Sequence, residues 1–188
     1  MEPLDALALA TSTFVAVLDQ VGDDQLTAST PCEEWDVGAL ERHVAMGNEM
    51  AVALIDGASR EEGLSFVDKE YDGDLDALCR ATLDDQLARM RAVTDWDAVV
   101  HHAIGDVSAS QLLGFRIGDL ALHAWDLATA IGADSRLPEE LASYVYDAMA
   151  PMEPFIGSLG IFGEGPSGTV DEGADVQRRL LDLTGRRA

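Results

Sequence analysis

The most constraining stretch of this chain runs from Ser108 to Ile131. At about 100° per residue, Leu113, Ile117, Leu120, Ala124, Leu127 and Ile131 fall on one helical face while Leu122 and Trp125 lie on others, so apolar side chains occupy most of the circumference. Such a helix is stable only when other helices surround it, which places it at the centre of the fold. Its few polar residues then become informative. Arg116, Asp119, His123 and Asp126 project within about a quarter turn of one another, as one narrow polar strip. Gly132 is the expected C-cap.

Partners for this helix are legible upstream. Leu4, Leu7, Thr11, Phe14, Val15 and Leu18 repeat at spacings of three and four and predict a helix over 3–21. Ser29, Thr30, Pro31 and Asp36 punctuate the next segment. Leu40, His43, Val44, Gly47, Ala51 and Leu54 then predict a second helix over 37–56, with His43 on its inward stripe. Leu75, Cys79, Leu83, Leu87 and Met90 predict a third over 74–93. Trp96 to Gly105 reads as a connector, extended around Val99 and Val100. Beyond Gly132, Pro138 starts a further helix to about Met149, and a last short one is expected from Asp171 to Leu183. Between them, residues 151–170 hold three of the six prolines and five of the 17 glycines and read as irregular. The expectation is an all-α protein, a four-helix bundle with additional short C-terminal helices within 138–185, forming a single domain over residues 1–188.

Charge narrows the partners. Asp and Glu total 35 against 12 Lys and Arg, and a net charge of -23 repels phosphate backbones and anionic lipid, so no nucleic-acid or membrane partner is expected. No apolar run is long enough to span a bilayer, and Glu2 and Asp5 stand where a secretory signal wants basic residues. Two cysteines are too few for a disulfide framework, which fits a reducing, cytoplasmic location.

Asp119 and His123 are four residues apart on one helix, the spacing by which paired side chains reach a single ion. A third ligand must come from another element, and His43 is the histidine on an inward stripe. Two imidazoles and one carboxylate suit Zn²⁺ or a similar divalent transition metal and leave at least one coordination position open, as a catalytic site requires. The plainer reading of the same residues is a hydrogen-bonded structural histidine and an Arg116–Asp119 surface ion pair worth ~0.5 kcal/mol. His101 and His102 read as solvated loop histidines that stand in only if His43 fails. Cys32, ahead of the second helix, is either a thiol acidified by a helix N-terminus or packed filler, and Cys79 reads as core. The glycines Gly157, Gly160, Gly163, Gly165 and Gly168 lack the context of a phosphate loop and read as a wrapping loop.

Two segments resemble a known group. Thr30-Pro31-Cys32-Glu33-Glu34-Trp35-Asp36-Val37, followed by Leu40 and His43, is similar to the opening of the second helix in actinobacterial DinB-like proteins of the mycothiol-dependent maleylpyruvate isomerase type. Gly118-Asp119-Leu120-Ala121-Leu122-His123-Ala124-Trp125-Asp126-Leu127-Ala128 resembles that group's second motif, and Gly160-Ile161-Phe162-Gly163 its C-terminal loop. The resemblance implies an antiparallel four-helix bundle of the DinB/YfiT-like kind with a divalent metal, Zn or Ni, on His43, Asp119 and His123. In the isomerase-like branch the carboxylate is Glu, so Asp119 reaches with one methylene less. The resemblance further implies a thiol cosubstrate such as mycothiol in the open position and a small-molecule substrate, hence a transferase or isomerase. Arg116 becomes a candidate for drawing in an anionic substrate, and Asp126 for orienting an imidazole. Bundles of this type often form homodimers, although no exposed apolar stripe marks an interface here. The chain is short for the extra C-terminal domain of the isomerases themselves, so the reaction stays open. Two rivals remain: a hydrolase that activates a metal-bound water, and a non-enzymatic, stress-related metal- or ligand-binding module.

Overall fold

The computed structural model describes residues 1–33, 35–71, 73–156, 165–171 and 173–187. Four long helices surround one core: α1 (Pro3–Leu18), α2 (Val37–Ile55), α4 (Leu75–Arg91) and α5 (Ala109–Ile131), with the short α3 (Arg60–Leu64) between α2 and α4. α5 packs against both α1 and α2, and α4 packs against the same two from the other side. The expected helical bundle is therefore present. Phe14, Leu18, Leu40, Leu83, Met90, Ile117, Leu120 and Leu127 fill its centre, each at most 2% exposed.

α5 behaves as its composition demands. From Leu120 to Ala128 every residue is buried. Ser108 caps its N-terminus by accepting from the Gln111 amide, while the Gln111 side chain accepts from the Ser108 amide at 2.9 Å. Gly132 ends it in the left-handed region at φ 71°, where a side chain is disfavoured. α2 is capped by Asp36, whose carboxylate accepts from the Ala39 amide at 2.7 Å.

The structure corrects the expected connector. Val99–His102 (β1) and Gly105–Ser108 (β2) pair as an antiparallel hairpin in the register Val99↔Ser108 and His102↔Gly105. Pairing between β1 and β2 satisfies backbone groups that a bare connector would leave to water. Arg60 of α3 ties the hairpin down by donating to the His102 carbonyl at 3.1 Å and to Asp106 at 3.0 Å. α1 ends at Leu18, a turn earlier than expected, and the final helix covers only Val176–Leu183. The chain is completed by α6 (Glu139–Met149), α7 (Glu153–Ile156) and α8 (Val176–Leu183), with α8 packed on α6. Gly157, Gly160 and Gly163, and with them the C-terminal loop motif, lie outside the described residues. Among the described residues no helix is long and apolar enough to cross a membrane.

Candidate metal centre

The polar strip of α5 faces α2 and the segment that leads into it. Asp119 and His123 project from adjacent turns of α5, and His43 comes from the second turn of α2. His43 Nε2 lies 3.2 Å and His123 Nε2 3.4 Å from the same oxygen, Asp119 Oδ1. One donor atom from each of the three residues falls within 4.8 Å of the others, a separation that a single ion spans. His43 and Asp119 keep 27% and 23% of their side chains exposed whereas His123 keeps 9%, so the set opens to solvent on one side.

Each ligand is held from behind. The second oxygen of Asp119 accepts from Arg116 Nη1 at 3.0 Å. Arg116 in turn donates to Gln86 Oε1 and to Asn48 Oδ1, both at 2.8 Å. The arginine of the Arg116–Asp119 pair expected at the surface is thus buried, only 6% exposed. Gln86, Asp119 and Asn48 take up its Nε, Nη1 and Nη2, so Arg116 serves to hold Asp119 and has little face left for a substrate. Burial alone would raise the Asp119 pKa, but Arg116, His123 and His43 outweigh it and hold the carboxyl well below the ordinary range.

His123 is oriented through its other nitrogen. Nδ1 lies 2.9 Å from Asp126 Oδ2 and donates to it, which turns Nε2 toward Asp119 and His43. Asp126 is fully buried and gripped by Arg186, which donates through Nε and Nη2 at 2.8 and 2.7 Å. Burial opposes ionisation of Asp126, yet His123 and Arg186 hold its pKa down at about 2. Burial likewise opposes charge on His123, but Asp119 and Asp126 prevail and lift its pKa well above the ordinary histidine value. A cation among these groups would therefore displace a proton.

The loop before α2 supplies an aromatic wall. Thr30 accepts from the Cys32 amide at 3.1 Å and donates to the Trp35 carbonyl at 3.0 Å, closing a tight turn. That turn sets the Trp35 ring 4.6 Å from His43 and 5.7 Å from His123, centre to centre. It also brings Cys32 in: its sulfur lies 3.2 Å from Asp126 Oδ2 and 4.0 Å from His123 Nδ1. Cys32, His123 and Asp126 form a second group with metal-ligand chemistry, but the Arg186 guanidinium already sits on both Asp126 oxygens and 3.9 Å from the sulfur. A resident positive charge makes that pocket unfavourable for a second cation.

The remaining candidates lie elsewhere. His101 is exposed on β1 and pairs with Asp106 at 3.0 Å. His102 packs its ring 5.7 Å from Phe115, and burial followed by the charge of Arg116 lowers its pKa. Both are strand residues of the hairpin, which corrects their reading as loop histidines, and neither joins the ligand group. Cys79 is fully buried in the core, and burial pushes its thiol up to about 12. Arg186, Gln86 and Asn48 were not anticipated: they lie 60, 30 and 68 residues from their partners, and no local spacing announces them.

The model of the mycothiol maleylpyruvate isomerase N-terminal domain matches residues 7–128. Two uncharacterized proteins of Mycobacterium tuberculosis, from strains CDC 1551 / Oshkosh and ATCC 25618 / H37Rv, are each 33% identical over 146 residues, covering 76% of this chain and 74% of theirs. Among solved structures, the mycothiol-dependent maleylpyruvate isomerase superposes with a TM-score of 0.60 at 22% identity, over 75% of this chain and 65% of that one. The chain thus spans about two thirds of that enzyme. A DinB-like protein of Bacillus subtilis superposes with a TM-score of 0.59 at 14% identity, over 73% of this chain and 96% of its own. At these identities the two structures establish the shared fold.

Proposed function

Since this chain belongs to the mycothiol maleylpyruvate isomerase N-terminal domain family, we propose that it is a metal-dependent enzyme using a low-molecular-weight thiol of the mycothiol kind to transfer to, or isomerise, a small molecule. The observation that carries this reading is the convergence of His43 Nε2, His123 Nε2 and Asp119 Oδ1 beside an opening to solvent. The donor set fits a divalent transition ion of the Zn²⁺ or Ni²⁺ type: two imidazole nitrogens, one carboxylate oxygen and, among the described residues, no fourth protein donor within the group. A divalent ion there lowers the pKa of a thiol that reaches it, so that a thiolate is present at neutral pH.

The chain's own residues do the rest. Asp126 keeps the proton of His123 on Nδ1, and Arg186 keeps Asp126 ionised in a buried place. Arg116 fixes the carboxylate of Asp119. Trp35 packs against both imidazoles and excludes water from that side. The partly exposed edge between His43 and Asp119 is where thiol and substrate enter. We place the reaction in the cytoplasm, where such thiols are kept reduced.

The test is conversion of maleylpyruvate and of a panel of small electrophiles by zinc-loaded protein, with and without mycothiol. Turnover that needs both zinc and thiol, and that His43→Ala abolishes, is expected. Turnover undiminished without thiol would instead assign a hydrolase, with water taking the place of the thiol.

A further inference from the structure

The two oxygens of Asp119 have different neighbours. Oδ1 faces His43 and His123, while Oδ2 is held by Arg116, whose guanidinium is also anchored to Gln86 and Asn48. The arginine reaches this place because residue 47 of α2 is glycine. A Cβ there would collide with Nη1 of Arg116 and stand 3.0 Å from its Cζ and 3.1 Å from Nη2. Gly47 has a negative φ and sits in mid-helix, where glycine costs roughly 1 kcal/mol relative to alanine, so space for the guanidinium is its evident use.

We propose that Gly47 and Arg116 form a positioning device that keeps the second oxygen of Asp119 off the metal, so that Asp119 ligates through Oδ1 alone and a coordination position stays free for an outside thiol. The inference rests on the metal reading above and deepens it. A carboxylate left unrestrained is free to turn and offer both oxygens to a divalent ion. Arg116 removes that option by occupying Oδ2 with a charge-assisted hydrogen bond. With three protein donors and one solvent or thiol the ion would be four-coordinate, whereas a second carboxylate oxygen would raise it to five and crowd the thiol's position. Neither Gly47 nor Arg116 touches the ion or the thiol, so both act through Asp119.

Cobalt is the probe, because its visible absorption is intense when four-coordinate and weak when five-coordinate, and a bound thiolate adds a charge-transfer band. The unaltered chain, Arg116→Gln, Gly47→Ala and the double variant are each loaded with Co²⁺ and titrated with 2-mercaptoethanol. What must give in Gly47→Ala is the tip of a flexible side chain, so the fold is expected to survive even if Arg116→Gln proves unstable. Both single variants should lose visible intensity and bind the thiol at least about tenfold more weakly, the size of effect typical for residues behind a ligand. Adding Gly47→Ala to Arg116→Gln should change nothing further, since the colliding group is already gone. Unchanged spectra and thiol affinity in the single variants would overturn the proposal, as would a further loss in the double variant. Failure of the unaltered chain to bind Co²⁺ would overturn the metal reading itself, and is distinguishable because it precedes any comparison of variants.

Discussion

Glu41 shows how a single residue is shaped by its place. It is 1% exposed on the face of α2 turned toward the start of α4, and neither carboxylate oxygen has a hydrogen-bond partner among the described residues. Burial first, then the nearby Asp76 and Asp74, raise its pKa to about 7, with Arg42 and Arg80 opposing. The folded state therefore holds this proton between about pH 4.5 and 7 while the unfolded chain has released it. Its contribution to stability is fully present below pH 4.5 and is lost as pH rises through 7. Glu41→Gln should remove this loss, stabilising the protein at pH 8 by up to about 3 kcal/mol relative to the parent. Urea titrations of both forms at pH 5 and pH 8 check it: equal stability differences at the two pH values would contradict the assignment. At this scale the sequence was a partial guide. The i,i+4 pair Asp119 and His123 and the stripe position of His43 could be read from spacing, because a helix fixes which side chains share a face. Arg186 and Asn48 could not, because contacts across 60 and 68 residues carry no local period.

At the scale of elements, legibility followed length. α5 and α2 are long enough for their apolar period to be unambiguous, and their caps at Ser108, Gly132 and Asp36 are of the expected types. The hairpin failed that test: its strands are four residues each, and Ala103-Ile104 at the turn lacks the Asn-Gly or Asp-Gly signature. α3 was missed as well, although Ser59 and Glu62 form a capping box, since five residues cannot show a helical repeat. Ser108 joins hairpin to bundle, pairing with Val99 and capping α5. Ser108→Ala should therefore cost about 1 kcal/mol by denaturant unfolding, the ordinary value of a lost N-cap. Loss of less than a few tenths would mean that the cap does not hold the start of α5.

At the scale of the whole molecule, the candidate centre joins elements distant in sequence. His43 belongs to α2 and Asp119 and His123 to α5, 76 residues apart across the tie between His43 and Asp119. An ion bound there by folded protein alone stabilises the bundle by mass action, about 2.7 kcal/mol at a hundredfold excess over its dissociation constant. Zn²⁺ should accordingly raise the melting temperature of the parent chain and leave His43→Ala unaffected, a comparison that differential scanning calorimetry makes directly. The net charge of -23 sets a demanding control, because exposed carboxylates also attract cations loosely. The most direct measurement is elemental analysis of protein purified without a chelating tag, set beside His43→Ala and His123→Ala. The expected result is about one equivalent of zinc or nickel in the parent and none in either variant. A parent chain that carries no such metal, and takes up none when Zn²⁺ or Ni²⁺ is supplied, would contradict the account.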